Sequence, residues 1–200
     1  SDRCSLLVRR ALLMPTCNIM VDSCSYFRLA QSIRPLLKTP FGKENHCLGV
    51  IEELDKEYEK NPVLKHKFFW VNQKEYADER KNCFTPTTNE RSQINHAFFF
   101  IREFARESQF SVSRVDIIAL SYAYVLKFPI VTDDSDMLEV SKEFQVKTYK
   151  TLELLRLMMD NGLVAMEHIR SIVSYWTYQK DTPKSYRRDF KMIFAEEPPA

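Results

Sequence analysis

The chain has 200 residues, 44% of them hydrophobic and 12% aromatic, with 29 basic against 27 acidic residues and a net charge of +2. That balance excludes a disordered chain and a globally basic nucleic-acid binder, and the length suits one ordinary domain that buries its core without a disulfide or zinc staple. The three glycines, Gly42, Gly49 and Gly162, lie far apart, which excludes a glycine-rich phosphate loop.

Residues 1–13 read as a leader or appended segment, with Met14 as the natural start. No apolar run approaches the ~20 residues that span a membrane, so no membrane association is expected. The five cysteines form no Cys-x-x-Cys and are odd in number, which predicts reduced thiols in a cytoplasmic protein. Four scattered histidines offer no metal pair.

Residues 17–22 (CNIMVD) predict a buried strand ending in an acid, and residues 25–37 a helix closed by Pro35. A short strand at 46–50 precedes an amphipathic helix, IEELDKEYEK, that presents Ile51, Leu54 and Tyr58 on one face and stops at Asn61-Pro62. Residues 63–91 read as helical pieces and a loop inserted in the domain. Helices are predicted over 92–108 and 111–128, followed by a continuously apolar strand at 129–132, the mark of a strand covered on both faces. A short helix, a strand (QVKTY) and a helix closed by Asn161-Gly162 complete a domain over residues 14–163. The remainder, 164–200, reads as one helix and a basic tail. Strands alternating with helices predict an α/β fold, three layers deep, around a mostly parallel sheet of four to five strands. In such sheets ligands sit beyond the carboxyl ends of the strands.

The acids gather at that edge. Asp22 ends the first strand, Glu53 opens the helix after the second, Asp116 opens the helix leading to the third, and Asp134 and Asp136 follow it with Asp133 alongside. Each also has a structural reading. Asp22 and Asp134 suit helix caps, Asp116 suits a loose capping box with Ser113, and Glu53 suits a solvated surface. Two carboxylates 4 Å apart repel by about 4 kcal/mol at an effective dielectric of 20. A crowd of them therefore invites a divalent cation, and hard oxygen donors suit Mg²⁺ or Mn²⁺. Such ions activate water and neutralise an attacked phosphate, which points to phosphodiester hydrolysis.

Three segments resemble the PIN-domain nucleases: NIMVDSCSYF, VIEELDKEY, and SRVDIIALSYAYVLKFPIVTDDSDM with its Asp-led helix, apolar strand and Thr-x-Asp-x-Asp. FQVKTYKTLELL resembles the family's last strand and helix. The resemblance, over residues 18–163, implies a Mg²⁺- or Mn²⁺-dependent single-strand endoribonuclease. It implies Asp22, Glu53, Asp116 and Asp134 as catalytic metal ligands, Asp136 as an additional ligand, and Thr132 as a supporting hydroxyl. Cys24 stands where the family often has Ser or Asn, so Ser23 or Ser25 is expected to substitute. Relatives include toxins of toxin–antitoxin pairs and RNA-processing or defence components, so an antitoxin or other protein partner and a homodimer are expected. For RNA, candidate phosphate contacts are Arg28, Arg34, Lys38, Lys65, Lys67, Arg187 and Arg188, with Phe68, Phe69 and Trp70 as stacking faces. A flap-type DNA nuclease would use the same acids. An inactive PIN-like module binding RNA or protein is the non-enzymatic alternative. The helix with Ile169, Ile172, Val173 and Trp176 either finishes the core or forms a dimer face.

Overall fold

The computed structural model describes residues 16–199, so the expected leader and the Met14 start lie outside the described residues. The chain is α/β with a four-stranded, all-parallel sheet: β1 (Ile19–Val21), β2 (Leu48–Gly49), β3 (Ile130–Val131) and β4 (Thr148–Tyr149), in the order β2-β1-β3-β4. Ile19 pairs with Leu48, Met20 with both Gly49 and Ile130, and Val131 with Tyr149.

The strands are two or three residues long, and the central pair, β1 and β3, is apolar and buried on both faces. Successive side chains alternate across the sheet, and two cores result. Ile19, Val21, Leu48 and Val131 join one, and Met20 and Ile130 join the other. The first core is covered by α1 (Ser23–Leu29), α8 (Thr151–Asp160), α9 (Met166–Gln179) and α10 (Tyr186–Phe194). The second is covered by α5 (Thr88–Glu107), α6 (Arg114–Leu126) and α7 (Ser135–Glu143). Between β2 and α5 run α2 (Glu53–Lys60), α3 (Pro62–Lys67), a 3₁₀ turn at Phe69–Asn72 and α4 (Lys74–Arg80).

Local chemistry sets the helix ends. Asp22, Ser113 and Asp134 accept backbone N–H bonds as N-caps of α1, α6 and α7. Thr87 and Glu90 form a capping box that starts α5 before the expected Ser92. Asn61 caps α3, whose first residue is Pro62. The first helix ends at Leu29, well short of the expected stop at Pro35.

Ile169, Ile172, Val173 and Trp176 are at most 1% exposed, so of the two alternatives for that face it finishes the core. In the basic tail, Tyr186–Phe194 is a helix whose Phe190 is fully buried in the first core.

Residues 63–91 hang on one arginine. Arg80 is 3% exposed and donates to Asp55 at 2.7 Å, the Tyr26 hydroxyl at 3.0 Å and the Val71 carbonyl at 2.9 Å. It thereby ties α4 to α1, α2 and the 3₁₀ turn. Arg80→Met is expected to leave the Tyr26 and Val71 oxygens unsatisfied and to cost about 2–3 kcal/mol. Urea unfolding should show the midpoint fall; a midpoint unchanged from wild type would refute the tether.

Candidate active site

The order β2-β1-β3-β4 means that the chain leaves β1 to one side and later returns to its other side. The crevice beyond the carboxyl ends of β1 and β3 is the point where the connections part, the usual ligand site of an open parallel sheet. Asp22 follows β1 directly, and Thr132, Asp133 and Asp134 follow β3. The Asp22 N–H donates to the Val131 carbonyl at 3.1 Å, which fixes the two strand ends side by side.

Asp22 is 4% exposed, and its Oδ1 accepts the Ser25 N–H at 2.7 Å. Burial pushes its carboxyl up to about 6, against the hydrogen bonds of Thr132 and Ser25, and the charge of Asp116 adds to the rise. Asp116 is half-buried in the first turn of α6. It accepts the Ser113 hydroxyl at 2.7 Å. Burial again raises its carboxyl above the ordinary range, and the charges of Glu57 and Asp134 push the same way. Asp134 accepts the Met137 N–H at 2.8 Å, and its own N–H donates to Thr132 Oγ1 at 3.2 Å. Cys24 is solvent-accessible, yet crowding by protein and the charges of Asp22, Asp116 and Glu57 push its thiol up to about 12. Asp22, Asp116, Asp134 and Glu57 thus share one negative field.

Comparison with protein-family models, curated proteins and solved structures returns no match.

The acidic edge holds most of the expected residues but not in the expected form. Glu53 lies in the first turn of α2 with Lys56 3.6 Å away, whereas Glu57, one turn further, reaches the site and accepts the Ser23 hydroxyl at 2.8 Å. Ser23 thereby holds the Glu57 carboxylate. Asp136 is turned to the Ser111 N–H at 2.7 Å. Asp133 is tied off by Arg28 at 2.6 Å and by the Thr151 N–H at 3.0 Å. Thr132 is fully buried, with its hydroxyl between Asp22 and the Asp134 N–H. Glu57 and Thr151 are not singled out by the sequence, because their contacts with Ser23 and Asp133 join elements distant along the chain.

The oxygen donors suit Mg²⁺ or Mn²⁺ in kind. Among the described residues no three His, Cys, Asp or Glu side chains stand close enough to hold one ion. Mg²⁺ is commonly held by one or two carboxylates with its remaining positions filled by water and substrate phosphate, so its chemistry does not demand three carboxylates.

The expected phosphate contacts do not converge here. Arg28 is engaged by Asp133 and Asp181 and lies 5.8 Å over Trp176. Lys38 donates to the carbonyls of Asp78 and Lys81. Arg34 stacks 4.4 Å from the Tyr76 ring and Lys65 pairs with Glu59 at 2.6 Å. Lys67 pairs with Asp181, Arg187 lies over Tyr186, and Arg188 pairs with Asp189. Phe68 stacks on Phe27 at 4.8 Å and Trp70 is 2% exposed, so of the three aromatics only Phe69 faces solvent. Among the described residues no helix is long and apolar enough to cross a membrane.

Proposed function

We propose that the chain is a metal-dependent endoribonuclease with a three-layer, PIN-like fold, hydrolysing phosphodiester bonds of single-stranded or structured RNA. The observation that carries the reading is the pair of raised carboxyls Asp22 and Asp116, the charge of Asp116 adding to the rise at Asp22, beside the switch point between β1 and β3. Desolvated carboxylates beside like charge are costly to keep ionised without a cation, and perturbed acids in a crevice mark functional sites. Asp22 and Asp116 would hold Mg²⁺ or Mn²⁺, with Asp134 and Glu57 at longer range. The bound ion would supply charge neutralisation for the phosphate and an acidified water. Thr132 and Ser25 hold the Asp22 carboxylate in place, Ser113 holds Asp116, and Ser23 holds Glu57.

A second reading is favoured by one observation. Asp22 and Asp134 both serve as helix caps, and among the described residues no three candidate ligands meet, as an inactive PIN-like binding module would show. Labelled single-stranded RNA incubated with the purified chain separates the two. The nuclease reading expects fragments that need Mn²⁺ or Mg²⁺ and vanish with EDTA. Intact RNA under all metals contradicts it. DNA of the same sequence distinguishes a ribonuclease from a flap-type nuclease.

A further inference from the structure

Beside the acidic edge lies a groove of about 720 Å³ between α2 and α6, lined by Glu57, Lys60 and Arg114 among others. Glu57 belongs to both the groove and the acid cluster, so the two are continuous. From Arg114 a line of alternating cations and rings continues onto α5. The Arg114 guanidinium lies 5.5 Å from the Phe98 ring. Arg102 lies 5.6 Å from Phe98 and 5.3 Å from Phe99, which is 56% exposed. Arg106, one turn on, pairs with Glu103, whereas Arg102 and Arg114 meet no carboxylate within 4.0 Å among the described residues. Arg114 is also the first residue of α6, where the helix dipole disfavours a cation.

We infer that Lys60, Arg114, Phe98, Arg102 and Phe99 form a track for a single-stranded polynucleotide, leading its backbone to the acid cluster. Unpaired guanidinium groups match phosphates in charge, and an exposed phenyl ring offers a stacking face to any base. The inference takes its direction from the nuclease reading, but strand binding itself needs no ion and no cleavage.

The test is fluorescence anisotropy of a labelled oligouridylate with the full chain in EDTA, where no cleavage interferes. Arg102→Glu and Phe99→Ala are each expected to weaken binding about tenfold, the worth of one stacked base. Arg102→Glu should also lower the slope of log affinity against log salt by about 0.7, the release expected for one phosphate contact on a single strand. Both sites are on the surface, so circular dichroism should match wild type, and Met192→Ala, exposed elsewhere, should bind as wild type. Weaker binding of the deoxy-oligomer assigns the track to RNA, and equal binding assigns it to single strands of either sugar. Binding unaffected by Arg102→Glu and Phe99→Ala overturns the track, even if the protein cleaves RNA. Track-dependent binding without cleavage under any metal leaves the track standing and removes the nuclease reading. Failure to bind either oligomer, with self-association that Phe99→Ala abolishes, overturns it in favour of a protein interface.

Discussion

Replacing Asp22 by Asn is expected to abolish cleavage and, at about pH 7, to make the protein more stable. The loss of activity follows from removing a buried carboxylate that would hold the cation; the several kcal/mol such an ion supplies to phosphate chemistry correspond to a rate loss of at least about 10²-fold. The gain in stability follows from the raised carboxyl. Burial and the Asp116 charge put Asp22 at about 6 in the folded protein, against an ordinary value of 3.8. The folded state therefore binds this proton more tightly than the unfolded chain does. Above about pH 6 the ionised group opposes folding in full, and as pH falls from about 6 towards 4 that penalty is relieved. Asn carries no charge and caps a helix about as well as Asp, so the variant should gain about 1–3 kcal/mol near neutrality. That corresponds to a melting temperature higher by roughly 3–8 °C. The variant should also lose this part of the stability increase on acidification. A less stable Asp22→Asn protein would show that Asp22 is a structural cap and nothing more. In the wild type, cleavage should fall as pH drops through about 6, since the working form is the carboxylate.

Phe190→Ala is expected to destabilise the fold by about 3–5 kcal/mol, the usual cost of emptying a buried phenyl site. Phe190 is fully buried, and its ring lies 4.8 Å from that of Phe194. Against a total stability of about 5–15 kcal/mol this is a large share. The urea midpoint should drop with an unchanged slope, because the same surface is exposed on unfolding. A loss under about 1 kcal/mol would mean that α10 is a loose attachment rather than a wall of the core.

The difference between what the residues disclosed and what they hid has physical causes. The short apolar runs IMV and IV, each followed within a few residues by aspartate, announce strands covered on both faces and ending at an acidic edge. They are strands, they are adjacent, and Asp22 and Asp134 stand at their ends. Cap signals act over three residues, so the starts of α3, α6 and α7 are legible from Asn61, Ser113 and Asp134. Glu57 was hidden because Glu53 and Glu57 lie one turn apart on the same helix. Only the packing of α2 against α1 decides which of them meets Ser23. Arg28 reads as a free cation near the first strand, but Asp133 and Asp181, more than a hundred residues away in sequence, engage it. In α10 the apolar residues Tyr186, Phe190 and Phe194 recur every fourth place amid charge. That spacing is helical, yet the charge density of KSYRRDFK masks it.

Under the proposed function, Asp22 and Asp116 would share a divalent cation. The most direct measurement is a crystal soaked in Mn²⁺, with anomalous scattering recorded at the manganese edge. The account predicts a peak between the Asp22 and Asp116 carboxylates, with Asp134 and Glu57 facing its water shell. An anomalous map empty at that point, with the carboxylates still bonded only to Thr132, Ser25 and Ser113, would contradict it.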